Sequence, residues 1–571
     1  MSEKKRLTGT IREKLSEYIR RFVFRAITNK WTTIAVAVAD SIAVYYIVTT
    51  IPYYVNIVLG SFVILGSFLL IYYFNILKRI GIVPVSDDLI FILIHMRCLV
   101  TGNPPLTTLF GKVGEATFYR RKYSGMFQKL RGLIKNWGYS APEALKLVAR
   151  EASSKVDEMF LQRLSAIVAT GGDIKEYLRI EYNTLFAEYK SAYMRMIDTL
   201  KVVLGVYTTL LGALTFMLAN LMLLGMIFGN ISELITTGVL GVGFALISMA
   251  LLLYIFVRKP LFEARPRKRI GLVMLISFLG LTGLFVFAII AVYLVISLNI
   301  FNVEYVALSL MLTGVSLLPA AVLVKIHEGR ITEYDMFFPA FIRSYGEHLA
   351  VLPNMIESLK PLLIAELGKL RSLLKRVYAR LLNRVDPRIA WGLFADESSS
   401  EMVTRGTHIF IDTVETGGDL GEAGALISDH VNELFRLRAS YIQVFKTFEV
   451  TLYLMHLIVI VLLMFVGSFI NIFTSVIASF AGSIPSEYAG IIGFFNVSPQ
   501  DVSLVTNLIL LMITIADTLA VYSVNPGSRY AIYYYLCIML IITGAAVYTG
   551  SIVINGLVSG ILGPQGLGGV I

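Results

Sequence analysis

Apolar residues in this chain gather into long unbroken blocks, and between the blocks they recur every three or four positions. A block of about twenty apolar residues, wound as a helix, matches the hydrocarbon core of a bilayer. The blocks predict about nine transmembrane helices. They lie at approximately Thr32–Thr50, Tyr54–Leu77, Lys201–Phe228, Thr236–Val257, Ile270–Leu298, Tyr305–Lys325, Thr447–Phe473, Val502–Val524 and Tyr530–Ile552. The helical spacing elsewhere predicts aqueous helices. In one stretch these are Asp87–Val100, Lys122–Trp137, Ala141–Ala169 and Asp173–Leu200. In a second they are Pro339–Leu352, Met355–Asn383, Glu401–Glu415 and Asp419–Phe445.

Two short segments share a pattern: ATGGDIKEYL from Ala169 and ETGGDLGEAG from Glu415. In each, a glycine pair (Gly171, Gly172; Gly417, Gly418) suits the left-handed end of a helix. The next residue, Asp173 or Asp419, suits the N-cap of the following helix. A glutamate three positions on, Glu176 or Glu422, completes the signature of a capping box. An apolar span begins about thirty residues after each corner, so the chain reads as a duplication. The expected fold is therefore all-α: a polytopic membrane protein with about nine transmembrane helices and two duplicated helical cytoplasmic domains. The expected layout is a basic amphipathic helix (1–30), two spans (31–77), the first cytoplasmic domain (78–199) and four spans (200–325). A second cytoplasmic domain (326–446), three spans (447–552) and a flexible Gly-rich outside tail (553–571) follow.

Charge orients this layout. All 50 lysines and arginines lie in residues 1–30, 78–201, 258–269 and 325–446, or at Arg529. With the N-terminus in the cytoplasm and the C-terminus outside, every one of them is on the inner side, as the positive-inside rule requires. The two Asn-x-Ser/Thr sequons, Asn230 and Asn496, fall in outside loops. The first thirty residues, with Ile11, Leu15, Ile19 and Phe22 at helical spacing among arginines, predict a helix on the anionic inner leaflet. They do not read as a cleavable signal peptide. Charged residues make up 16% of the chain, against about a quarter in a soluble domain. The net charge of +11 is placed for a membrane, not for nucleic acid.

Catalytic patterns are missing. There is no phosphate-cradling G-x-x-x-x-G-K-[ST] loop, no His-Glu-x-x-His, no Cys-x-x-Cys and no G-x-S-x-G. The two cysteines and six histidines show no ligand spacing, so no cofactor or metal is expected. Asp40, His456 and Asp517 are ionisable residues inside expected spans. They have two readings: hydrogen bonds between packed helices, or members of a proton relay. The basic groups Lys129, Arg131 and Lys135, and Lys369, Arg371, Lys375 and Arg376, also have two. They form a solvated, leaflet-facing surface or a docking surface for an acidic partner.

GYSAPEAL (Gly138–Leu145), the first corner with Tyr182 to Arg195 after it, and the second-copy corner together resemble the type II secretion system F domain family. The extra spans are similar to archaeal members, including the archaellum platform protein. Bacterial members usually carry a glutamate directly after the first corner glycine, where this chain has Gly172. The resemblance implies a non-enzymatic platform, and the missing nucleotide motifs fit it, because the motor belongs to a partner. It implies docking of a hexameric secretion-type ATPase and extraction of pilin or archaellin subunits from the bilayer, with the platform as a homodimer. A secondary transporter is the alternative, but transporters favour inverted repeats and polar midplane sites.

Overall fold

The computed structural model describes residues 85–152, 154–228, 231–264, 271–296, 303–481 and 499–562. The expected N-terminal helix, the first two spans with Asp40, both sequons and residues 563–571 lie outside the described residues. Those described are helical, apart from turns and one isolated antiparallel bridge between Glu263 and Ser400.

A first lobe contains α1 (Asp87–Val100), α2 (Leu106–Glu115), α3 (Arg121–Trp137), α4 (Ala141–Arg150) and α5 (Lys155–Ala169). The hydroxyl of Ser86 caps α1 by accepting from Leu89 N at 3.2 Å. Nearly every residue of α1 is buried, and the helix is apolar all round. Such a helix belongs in a core, and α1 sits between its own lobe and the second one. The long α6 (Ile174–Phe228) runs from this lobe into an expected span. Then come α7 (Ile231–Phe256), α8 (Gly271–Ile296) and α9 (Val303–Val351). The second lobe adds α10 (Leu370–Leu382), α11 (Pro387–Ser398) and α12 (Glu401–Glu415) to the end of α9. A second long helix, α13 (Leu420–Ala481), leaves it, followed by α14 (Pro499–Val524) and α15 (Ile532–Leu562).

Among the described residues, five helices are long and apolar enough to cross a membrane: Ile174–Leu223, Tyr305–Val351, Leu420–Phe473, Val505–Val524 and Arg529–Val553. Helices α7 and α8 cover the fourth and fifth of the nine expected spans. In the bundle α9 packs along α13 and α15, α7 along α14, and α6 along α13.

Several aqueous elements differ from expectation. The helix expected over Ala141–Ala169 is two, the first ending at Arg150 and the second beginning at Lys155. Over Met355–Asn383, two 3₁₀ turns precede α10, where Pro361 and Gly368 (φ +49°) interrupt a regular helix. Neither α2 nor α11 is anticipated by the apolar spacing. Helix α15 continues past Ile552 to Leu562, so only the end of the expected flexible tail is not described as helix. Its apolar pattern persists through Val553, Ile554 and Leu557.

The two corners have the same geometry. Gly171 and Gly417 adopt φ +67° and +70°. Gly172 N donates to Ile167 O, and Gly418 N to Thr413 O, each at 3.0 Å. These bonds satisfy carbonyls that the helix end would otherwise orphan. Asp173 accepts from Lys175 N at 2.8 Å, and Asp419 accepts from Glu422 N at 2.9 Å. The glutamates turn elsewhere, so no capping box closes. Glu176 binds the Arg179 guanidinium at 2.6 and 2.8 Å, and Glu422 accepts from Lys175 Nζ at 2.7 Å. A charged partner within reach outbids a backbone amide for a carboxylate. Replacing Asp419 with alanine is expected to cost about 1 kcal/mol of local stability. Amide exchange at Glu422 should then quicken about fivefold, and an unchanged rate would rule the cap unimportant.

Candidate functional site

The lobes meet along a seam of α1 and α6 against α12 and α13. At its centre Arg405 of α12 is buried. Its Nη1 lies 2.8 Å from Asp88 Oδ1 on α1, and its Nε donates to Glu401 at 2.7 Å. The guanidinium also covers the ring of Phe91, 4.8 Å from the centroid. Burial pulls the Arg405 pKa down, but Glu401 and Asp88 more than reverse this, so it stays above the usual guanidinium range. This one cation therefore ties together both lobes.

Polar contacts extend the seam in both directions. Toward the corners, Asp419 N donates to Thr101 Oγ1 at 2.9 Å, and Lys175 pairs with Glu422. Lys190 pairs with Glu433 at 2.9 Å. On the far side Asp412 lies 3.3 Å from His95 and 3.5 Å from Lys112. Burial raises the Asp412 pKa, but the hydrogen bond and charge of His95, with Lys112, hold it below the usual carboxylate range.

His430 of α13 lies 2.9 Å from the Tyr182 hydroxyl of α6 and meets Phe91 edge-on at 4.6 Å. Burial, then the charges of Arg405 and Arg97, bring its pKa down from 6.5 to about 3. The folded seam thus holds a neutral imidazole, whereas the unfolded chain takes up a proton below about pH 6.5. Its stabilising contribution is complete above that pH and falls as pH drops, by at most about 1.4 kcal/mol per unit, until the folded value is reached. Thermal unfolding between pH 7 and 5 should show this loss. His430→Phe should flatten the slope, and an identical slope in that variant would remove His430 as its source.

Where the lobes meet the membrane, loop 257–264 between α7 and α8 is bound from several sides. Arg258 pairs with Asp87 at 2.8 Å, and Asp87 also accepts from Tyr189 at 2.7 Å. Glu401 N donates to Phe262 O at 3.0 Å. Glu263 lies 3.3 Å from His327 and accepts from Ser528 Oγ at 2.9 Å. Arg438 of α13, fully buried, pairs with Asp335 of α9 at 2.6 Å and donates to Leu261 O at 3.2 Å. Sequence reading missed this collar, because its members lie up to hundreds of residues apart and none stands in a motif.

Deeper in the bundle, His456 and Asp517 come together. Asp517 Oδ2 lies 2.7 Å from His456 Nδ1, and its Oδ1 accepts from Tyr207 at 2.9 Å. His456 Nε2 lies 2.9 Å from Thr543 Oγ1, itself 2.9 Å from Thr514 Oγ1. The network joins α6, α13, α14 and α15, and the side chains of both His456 and Asp517 are wholly buried.

The expected basic groups divide. Lys129 pairs with Glu151 at 2.6 Å and Arg131 with Glu115 at 2.5 Å. Lys369 pairs with Glu333 at 2.6 Å and Arg376 with Glu397 at 3.4 Å. Lys135, Arg371 and Lys375 are exposed. Among the described residues no group of three or more potential ligands is arranged to hold a metal ion.

A multi-pass, all-helical membrane protein is the class this architecture defines. Residues 92–222 match the family model described as Type II secretion system (T2SS), protein F. The chain is also similar to Flagella accessory protein J of Methanocaldococcus jannaschii, 26% identical over 340 residues. That match covers 57% of this chain and 59% of the relative. Flagella accessory protein J of Methanococcus voltae is 21% identical over 345 residues, covering 57% and 60%. The similarity thus spans less than two thirds of either relative's length. No solved structure matches.

Proposed function

We propose that this chain is the membrane platform of an archaeal type IV pilus-like machine, building an adhesive pilus or an archaellum. In this reading it is not an enzyme. A hexameric secretion-type ATPase docks on the lobes from the cytoplasm, and the platform, as a homodimer, turns their movement into extraction and assembly of pilin or archaellin subunits. The N-terminus and both lobes lie on the side of the anionic inner leaflet, with the C-terminus outside.

The continuity of α6 and α13 carries the proposal. These helices have 55 and 62 residues, roughly 80 and 90 Å at about 1.5 Å per residue. Each starts at a corner in a lobe and continues into an apolar span, so force on a lobe reaches the bilayer without a joint. The family domain and both curated relatives support the same reading. The order α3–α4–α5–corner–α6 recurs as α10–α11–α12–corner–α13, which supports duplicated lobes.

The docking surface centres on Lys135, Arg371 and Lys375, whose exposure leaves them available to an acidic partner. The full chain in detergent should co-purify with its secretion-type ATPase and raise that enzyme's turnover. Reversing the charge of these three residues should weaken binding at least tenfold while membrane insertion persists. Unchanged ATPase binding in the triple variant would move the docking surface elsewhere. No binding by the unaltered chain would remove the motor from the proposal.

A further inference from the structure

Helices α9 and α15 run antiparallel, and at one level their backbones touch. A Cβ added to Gly314 would stand 3.1 Å from Cys537 O, and one on Gly544 would stand 2.7 Å from Ala307 O. The Cys537 thiol donates to Gly314 O at 3.1 Å. Toward the lobes this close contact gives way to a groove of about 370 Å³. Leu318, Val322 and Ile326 form one wall, and Tyr534 and Ile538 the other, with Lys325 at the lobe end. Pro319 lies within α9 at the opposite end and withholds one N–H from the helix ladder there.

The groove's lining selects its occupant. Its walls are apolar, so water would find few hydrogen-bond partners in it. A hydrocarbon chain brings no polar group that such walls would leave unpaired. Among the described residues that line the groove, Lys325 alone is charged. Its Nζ lies 3.0 Å from Glu328 Oε2 and 4.1 Å from the Tyr534 ring centroid. The other Glu328 oxygen already accepts from Ser528 N at 2.8 Å. An ammonium has three donors, and one bond to Glu328 leaves others for a headgroup. From Leu318 to Lys325 α9 rises about 10 Å, and Lys325 ends the expected span Tyr305–Lys325, so the cation belongs at the membrane boundary with the apolar walls beneath it.

We propose that this groove between α9 and α15 binds one anionic phospholipid, an acyl chain between its apolar walls and the phosphate on Lys325. The site rests on the chain being a membrane protein and not on the ATPase, so failure of motor docking would leave it standing.

The test is native mass spectrometry of the full chain released from nanodiscs of phosphatidylcholine with phosphatidylglycerol. One phosphatidylglycerol should stay bound per chain, at least tenfold more tightly than phosphatidylcholine. Lys325→Gln should abolish that preference. Val322→Trp and, independently, Ile538→Trp should fill the groove and release both lipids, with elution and melting unchanged. Free glycerol phosphate should not displace the lipid; displacement would show that a headgroup anion alone is recognised and would overturn the acyl-chain site. Equal retention of the two lipids by the unaltered chain, or undiminished phosphatidylglycerol in a folded tryptophan variant, would also overturn the proposal.

Discussion

Arg405→Ala opens the seam between the lobes. The substitution leaves buried Asp88 with only the longer, 3.4 Å ion pair to exposed Arg120, and takes from half-buried Glu401 its guanidinium partner. Removing one partner of a buried ion pair costs about 3–5 kcal/mol. Cys98 is a built-in reporter of the event, since it is fully buried on α1 with its sulfur 4.0 Å from Ala423 O of α13. Burial also raises its thiol pKa from 9.0 to about 12, so closed lobes protect it from alkylation twice over. Maleimide labelling of Cys98, read by peptide mapping, should quicken a hundredfold or more in Arg405→Ala. The double variant Asp88→Asn with Arg405→Met leaves no uncompensated charge on α1 and should recover most of the protection. A labelling rate equal to that of the unaltered chain would mean that the seam does not depend on this cation.

Asp517→Leu should loosen the bundle where four helices meet. It removes the carboxylate to which the Tyr207 hydroxyl donates and against which His456 Nδ1 lies. Stranded buried polar groups cost about 1–3 kcal/mol each, and interhelical bonds in bilayers measure somewhat less. A total of about 2–4 kcal/mol is expected, seen as a lower melting temperature in detergent and as lost filament assembly. Asp517→Asn keeps an acceptor and a donor of similar size, so it should melt within about 1 kcal/mol of the unaltered chain. This pair of variants separates the two readings of the intramembrane residues. If the carboxylate only bridges helices, Asn is tolerated. If it carries protons, Asn will stop a proton flux through reconstituted protein that the unaltered chain sustains.

The spans, the corners and several lobe helices could be read locally. Asp87–Val100 and Glu401–Glu415 were expected with the bounds observed, because an N-cap serine and an apolar run mark each start. The corner glycines announced themselves because the left-handed region excludes most side chains. By contrast, α2 and α11 are short, and proline precedes or begins each, so neither offers enough turns for a period to show. The glutamates of the corners do not close the boxes, since a cation, Arg179 three residues on for Glu176 and Lys175 of the other corner for Glu422, competes with the backbone amide for each carboxylate.

Among the candidate groups, His456 and Asp517 were visible as polar residues in apolar blocks. Tyr207, Thr514 and Thr543 were not, since a tyrosine or threonine in a span is ordinary until its neighbours are known. Arg405 looked like any helix-surface arginine, yet it lies at the centre of the seam. Chain order was enough to establish how often apolar blocks recur, which stretches carry the positive charge, and where helices must end in glycine. These are matters of local sterics, solvation and one-dimensional counting. Only the tertiary structure decided that the lobes close on each other, which carboxylate holds Arg405, and which polar groups meet inside the bundle. Those outcomes depend on distances between residues hundreds of positions apart, and sequence spacing does not encode such distances.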